Sequence, residues 1–373
     1  MAKRPAPAPS QPGASGAGAL LSENAFLACI DRHFARGGRG VLLGRGDDCA
    51  VLDQQNPVCV STDLFLEDVH FRTAYFSAAD AGHKALAVNV SDIAAMGAQP
   101  TGFTLGLMVR PGLDAAWWDA FFEGMAGLAA RWHMPLVGGD VSRAAKAGAC
   151  ITVWGERRGA LLTRGAARPG DVLFVVSGVA LPGLRGLGLA RTGLMALERT
   201  LAASPQAQDA HNGLSATVSA ATEAYPSATL THLRPNPLVE AGLALAEAAD
   251  ALDLADRLSL MDVSDGLASD VPRLIGADHG SGLGAALAIE PRGLHPELAA
   301  FCAAHGLDPV THAVQGGEDY ALLGAAPASA IDALATRVAP HGALSPIGAV
   351  TPAPGLLVNG ASFHHSGFDH FSI

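Results

Sequence analysis

Trp117, Phe121, Met125, Leu128 and Trp132 recur at steps of three or four, which places them on one stripe of a helix from Asp114 to His133. At that spacing the aromatics read as a core face rather than a ligand box. A second helical period covers Asp80 to Met96. Val58 to Asp63 reads as a strand leading into an acidic turn, and Leu136 to Gly139 and Cys150 to Gly155 as strands flanking another turn. A polar junction at Gly159 to Gly170 follows, and then Leu173 to Ser177 reads as a buried strand. Strands, helices and Gly-rich turns continue in mixed order to the end. The pattern predicts an α/β (α+β) fold in two domains, over residues 19–159 and 160–373.

Two segments lack such a pattern. Residues 1–18 are Pro, Ala, Gly and Ser filler, which cannot bury enough apolar surface to offset its ordering entropy, and read as a disordered tail. Ordered structure is expected from about Leu20, with Ser22 capping a first helix. The Ala/Ser/Thr-rich stretch near 204–229 reads as a variable helical insert.

Composition narrows the partners. With 24 Lys+Arg against 35 Asp+Glu the chain carries a net charge of −11, and a nucleic acid or an anionic membrane would need the opposite sign. Five cysteines without C-x-x-C spacing argue against a zinc knuckle or a disulfide framework and suit a reducing compartment. The most apolar stretch, Val172 to Ala190, is broken by Pro182 and Arg185, so no membrane span is expected. The chain reads as soluble and cytoplasmic.

The informative residues are acidic and sit beside glycine or hydroxyls: Gly46-Asp47-Asp48, Ser61-Thr62-Asp63, Ser91-Asp92, Gly138-Gly139-Asp140, Asp262-Val263-Ser264-Asp265-Gly266 and Gly316-Gly317-Glu318-Asp319-Tyr320. Several follow apolar runs, which predicts carboxylates at strand ends. Each alone is an ordinary turn. Six together are harder to read that way, because converging carboxylates repel one another unless a cation lies between them. Oxygen donors without His or Cys suit Mg²⁺, which usually works on phosphates. A Walker A loop is excluded, because none of the three lysines, Lys3, Lys84 and Lys146, follows a glycine. The glycines of 183–188 lack dinucleotide-binding spacing, and no serine sits in a Gly-x-Ser-x-Gly elbow.

Taken in order, GRGDDCAVL (44–52), STDLFLEDVHF (61–71), HKALAVNVSDIAAMGAQP (83–100), GGDVSR (138–143), LTRGAARPGD (162–171), MDVSDGLASD (261–270), GGEDYALL (316–323) and GFDHF (367–371) resemble the thiamine-monophosphate kinase family. The resemblance runs from about residue 20 to the C-terminus. It implies the two-domain architecture of the aminoimidazole-ribonucleotide synthetase-like superfamily, with the N-terminal domain forming a barrel-like interface in a homodimer. It also implies ATP-dependent phosphorylation of thiamine monophosphate by direct in-line transfer. Asp48, Ser61, Thr62, Asp63, Asp92, Asp140, Asp262 and Asp265 are then expected to hold several Mg²⁺ ions. Gly139, Asp140, Arg164 and Ser264 are expected to contact ATP, and His70, Glu318 and Phe368 to hold thiamine monophosphate. No covalent nucleophile or general base is expected, and Asp47 and Asp319 are given supporting or turn roles. Arg45, Asp68 and the 177–187 segment depart from the family pattern. Another ATP-dependent reaction of the superfamily, or a non-catalytic ATP-binding maturation factor, is the alternative.

Overall fold

A computed structural model describes residues 23–35, 37–43, 51–53, 56–203 and 216–364. The expected tail, Ser22, Asp47, Asp48, residues 204–215 of the insert and Phe368 lie outside these residues. The first half contains α1 (Glu23–His33), β1 (Val41–Leu43), β2 (Val51–Leu52), β3 (Val58–Leu66), α2 (Ala78–Ala95), β4 (Ala98–Val109), α3 (Ala115–Arg131), β5 (Leu136–Arg143) and β6 (Gly148–Arg157). The second contains β7 (Val172–Gly178), α4 (Leu189–Ala203), α5 (Ala216–Ala224), α6 (Pro226–Leu233), α7 (Val239–Ala251), β8 (Ser259–Asp262), α8 (Leu267–Leu274), β9 (Gly284–Leu287), α9 (Pro296–His305), α10 (Pro309–Val314), β10 (Leu322–Ala326), α11 (Ile331–Val338), β11 (Gly342–Thr351), β12 (Gly355–Val358) and β13 (Ala361–Ser362). Among the described residues no helix is long and apolar enough to cross a membrane.

Two larger sheets carry the architecture. In the four-stranded sheet the order is β3-β6-β4-β5, with β4 and β5 parallel and the other pairs antiparallel. Strand alternation turns Val58, Val60 and Leu64 out to solvent on one face, 39%, 63% and 52% exposed. The seven-stranded sheet has the order β13-β12-β9-β11-β7-β10-β8 and is antiparallel except between β12 and β9. Both sheets are open, which is a mixed α/β fold without a closed barrel in the single chain.

Helix α2 is the spine between them. Ser77 caps it, its hydroxyl accepting from the Asp80 N–H at 3.1 Å. Its alanines and glycine let neighbours approach closely: a Cβ on Gly82 would sit 1.8 Å from the Phe121 carbonyl of α3, and one on Gly124 would sit 1.9 Å from Ala79 O. On the other side α7 packs against Ala94 through Gly242. The stripe Trp117, Phe121, Met125, Leu128 and Trp132 is buried as core, and Trp118 and Phe122 widen the buried face. Each large apolar side chain so buried contributes about 1.5–3 kcal/mol.

The strands run longer than the sequence pattern indicates. Asp63 lies inside β3 and Gly138 to Asp140 inside β5, so of the acidic clusters expected at strand ends, Asp262 is the one that ends its strand.

Candidate active site

A cavity of about 840 Å³ opens between β3, α2, α4 and the turns around 262–265 and 315–320. Three carboxylates meet at one corner, each from a different element: Asp63 of β3, Asp92 of α2 and Asp262 of β8. The Ser61 hydroxyl donates to Asp92, which also shares a hydrogen bond with Asp63. Ser91 Oγ donates to Asp262 Oδ2 at 2.7 Å, and the Asp63 N–H donates to Asn89 Oδ1 at 3.1 Å, stitching β3 to α2. Burial, then the neighbouring Asp92 charge, pushes Asp63 up to about 6 and Asp262 up to about 8. Burial raises Asp92 as well. Asp262 is buried and Asp63 and Asp92 partly so, with hydroxyls and one another for company, a donor set that fits a hard cation such as Mg²⁺.

Asp265 also lines the cavity, but its carboxylate is already paired with Arg273, which reaches Asp270 at 3.0 Å too. Asp270 is fully buried and accepts from the Asp265 N–H at 3.0 Å, so it anchors the turn that carries Asp265. Burial, then the Asp265 charge, pushes Asp270 up to about 6.

The Asp262-to-Gly266 and Gly316-to-Tyr320 motifs form one paired unit. Backbone N–H groups of Glu318 and Tyr320 donate to Ser264 O at 2.7 Å and Val263 O at 2.9 Å, continuing the β8–β10 ladder. Side chains would block this approach, because a Cβ on Gly317 would lie 2.5 Å from Ser264 O and one on Gly316 2.5 Å from Gly188 Cα. Asp319 accepts from the N–H groups of Gly188 (2.6 Å) and Ala190 (3.2 Å), fixing the start of α4, whose Arg191, Leu194, Met195 and Glu198 line the cavity.

Glu318 and Tyr320 have positive φ, +63° and +48°. The Glu318 carboxylate is gripped from both sides: Lys84 Nζ lies 3.0 Å from Oε1 and His232 Nδ1 3.0 Å from Oε2. Burial works against its charge, yet Lys84 and His232 hold it well below the usual carboxylate range. Lys84 is fully buried on α2 and His232 nearly so on α6. No sequence motif assigns a role to either, although a lysine inside the apolar run His83-Lys84-Ala85-Leu86-Ala87-Val88 is a visible sign. Asn89, Asp270 and Arg273 have no role assigned by the sequence pattern either, and Ser91 stands out there only as the neighbour of Asp92. His70 lines the cavity with its ring 6.1 Å from Phe65 and accepts the Leu66 N–H at Nδ1, 3.0 Å away.

The remaining expected residues are placed elsewhere. The Thr62 side chain points to the opposite face of β3 from Ser61 and Asp63, exposed and 2.8 Å from Thr152 Oγ1. Asp140 is exposed on edge strand β5, where Ser142 Oγ donates to it at 2.9 Å. Neither it nor Gly139 lines the cavity. A Cβ on Gly139 would meet Leu105 O at 1.9 Å, so strand packing alone demands glycine there. Arg164 is exposed, but its charge reaches Asp92 and Asp262. Ser264 lines the cavity next to Asp265.

Residues 46–156 match the model of the AIR synthase related protein N-terminal domain. A thiamine-monophosphate kinase of Escherichia coli is 34% identical over 290 residues, 76% of this chain and 75% of that protein. The Bacillus subtilis thiamine-monophosphate kinase is 37% identical over 233 residues, 61% of this chain; the matched part spans 62% of that relative, under two thirds of its length. The crystal structure of thiamine-monophosphate kinase from Stenotrophomonas maltophilia K279a superposes with a TM-score of 0.69 at 30% identity, covering 92% of this chain and 98% of that one. A structure of AaThiL complexed with AMPPCP and TMP superposes with a TM-score of 0.66 at 25% identity, covering 92% and 95%. The chain belongs to the thiamine-monophosphate kinase family.

Proposed function

We propose that this chain transfers the γ-phosphoryl group of ATP to the phosphate of thiamine monophosphate, giving thiamine diphosphate and ADP. The observation that carries this reading is the cavity itself, with three mutually repelling carboxylates at one corner, Asp262 buried and Asp63 and Asp92 partly so, and an apolar, aromatic wall beyond them. The similarity to AaThiL, whose structure holds AMPPCP and TMP, supports the choice of substrates. The acceptor is a phosphate oxygen, already anionic near neutral pH, so no side chain has to remove a proton. The obstacle is repulsion between two polyanions brought into line. Asp63, Asp92 and Asp262 would hold Mg²⁺, which when bound neutralises phosphate charge and fixes its orientation. Ser61, Ser91 and Asn89 keep those carboxylates and β3 in place. Asp265, held by Arg273 and Asp270, stands at the edge of this group and joins it once the guanidinium yields. Arg164 and Ser264 lie where an ATP phosphate can reach them. Gly139 and Asp140 would serve ATP only from the edge strand, outside the cavity.

On the substrate side, His70 and the apolar wall take the heterocycles, and Phe368 remains a candidate for the same wall. Glu318 acts through Lys84 and His232, since both of its oxygens are engaged. The division into domains at about 159/160 follows the two sheets. The outward Val58, Val60 and Leu64 face is the surface a second copy would cover, extending the open sheet towards a barrel-like homodimer interface. We place the protein in the cytoplasm.

The reaction is tested by incubating the protein with ATP, Mg²⁺ and either thiamine monophosphate or free thiamine. The expected product is thiamine diphosphate from the monophosphate, with kcat/KM for free thiamine lower by about 10²-fold or more, the usual worth of a missing general base. Comparable rates on both, or no thiamine diphosphate, would overturn the reading.

A further inference from the structure

Away from the cavity, a second set of metal-binding side chains meets where α1 lies against α3. Cys29 and His33 stand four residues apart on α1, about one turn of helix, so both face the same way. Asp119 reaches them from α3. Cys29 Sγ lies 3.4 Å and His33 Nε2 2.9 Å from the same oxygen, Asp119 Oδ1. One donor atom from each of the three falls within 4.8 Å of the other two. A tetrahedral ion bonded at about 2.0–2.3 Å keeps its nitrogen, oxygen and sulfur ligands about 3.2–3.8 Å apart, so the trio already stands near ligand spacing. None of the three lines the cavity, and the phosphoryl transfer has no use for them.

The group sits at the rim of the core, where an ion can arrive from solvent. Cys29 is buried, but the Asp119 side chain is 48% exposed, and so is 59% of Arg32, which pairs with the same oxygen at 2.8 Å. The His33 ring rests against Phe122, 6.4 Å between centroids, which fixes its direction. Hydrogen bonds from His33 and Arg32 hold the Asp119 carboxyl below its usual range. Burial, then the hydrogen bond to Asp119, pushes the Cys29 thiol up to about 11, so it keeps its proton until something replaces it. A thiolate and a carboxylate together match the charge of a divalent ion, and the thiolate and imidazole favour a softer ion than Mg²⁺.

We propose that Cys29, His33 and Asp119 form a Zn²⁺ site that clips α1 to α3, with water as the fourth ligand. On binding, the ion bonds to Sγ, Nε2 and Oδ1. The thiol proton leaves to solvent, and the imidazole keeps one proton, on Nδ1. Arg32 gives up Oδ1, and an exposed ion pair of this kind is weak beside a metal bond. The Mg²⁺ drawn to the carboxylate corner does not compete here, because oxygen-preferring ions bind thiolate poorly.

The test titrates Co²⁺, a spectroscopic stand-in for Zn²⁺, into the metal-free full chain under a non-thiol reductant, with millimolar Mg²⁺ present throughout. One equivalent should raise the visible bands of a tetrahedral ion together with the near-ultraviolet charge-transfer band that a thiolate ligand produces, and Zn²⁺ should bleach both. Cys29→Ser should lose the charge-transfer band. His33→Gln and Asp119→Asn should each weaken binding by about 100-fold or more, at least the loss that follows removal of an outer-shell partner. Zn²⁺ should also raise the melting temperature of wild type and leave that of Cys29→Ser unmoved. If the serine variant fails to fold, His33→Gln and the wild-type spectrum still decide. A wild type without the charge-transfer band, a band that survives in Cys29→Ser, or a folded His33→Gln that binds as tightly as wild type would overturn the proposal.

Discussion

The two charged ends of the cavity are built on opposite principles. At one end Asp63, Asp92 and Asp262 come from three separate elements, are wholly or partly withdrawn from water, and find hydroxyls and each other as neighbours. At the other, Lys84, Glu318 and His232 also come from separate elements, Lys84 and His232 buried and Glu318 partly so, but their charges cancel within 3.0 Å. Burying a charge is costly unless it is paired, so the second arrangement is complete in itself whereas the first invites a cation. A site that moves phosphate needs both kinds: a vacancy for positive charge where the polyanions meet, and a fixed frame where the organic part is recognised.

The difference can be broken by substitution. Asp262→Asn should lower kcat by about 10³-fold or more, since metal ligation supplies several kcal/mol of transition-state charge stabilisation. Steady-state assay at saturating ATP and Mg²⁺ measures this, and activity within about tenfold of wild type would remove Asp262 from the metal site. Lys84→Met acts in the opposite sense on the fold. It leaves the partly buried Glu318 carboxylate with only a neutral imidazole, which costs at most about 3–5 kcal/mol, the figure for a fully buried pair. The unfolding midpoint in urea should fall clearly, and an unchanged midpoint would mean that the pair is not what holds this wall. The smallest effect is expected from Thr62→Val, which sits on the same strand as Asp63 but faces away. Its kcat and Mg²⁺ dependence should stay within about twofold of wild type, the scale of surface substitutions. A large loss would return the Thr62 side chain to the ligand set.

Much of this arrangement was legible in the chain because the glycine-bracketed acidic motifs are local. Asp262, Ser264 and Glu318 are close in sequence to the glycines that let their turns pack, so the same few residues announce both chemistry and geometry. The helix Asp114 to His133 was legible for a similar reason, its stripe being a pure period. Asp63 shows where local reading stops. A carboxylate after an apolar run looks like a turn, yet Leu64, Phe65 and Leu66 extend the strand and the antiparallel register to β6 runs from Val58 to Leu66. The same alternation separates Thr62 from its neighbours, which a cluster read as one unit hides. His232 and Lys84 could not be paired from sequence at all. They lie 148 residues apart, and only the packing of α2 and α6 around Phe76 and Glu318 brings them together. Asp265 reads as a free ligand in the sequence because its partner, Arg273, sits eight residues further on, near the end of α8, with no motif of its own.

The measurement that bears most directly on the contrast is the melting temperature of wild type and Asp262→Asn across pH 5 to 8, with and without Mg²⁺. Folding lifts the Asp262 carboxyl from about 3.9, its ordinary value, to about 8, and Asp63 to about 6. Groups raised in this way favour the folded state while they keep their protons, and that advantage drains away as pH rises through the folded values. Without metal, wild type should therefore lose stability relative to Asp262→Asn between pH 5 and 8. Millimolar Mg²⁺ at pH 8 should restore wild type by several degrees and leave the variant nearly unmoved, because ligand bound to the native state stabilises it. Parallel melting curves for the two proteins at every pH, with equal responses to Mg²⁺, would contradict the account.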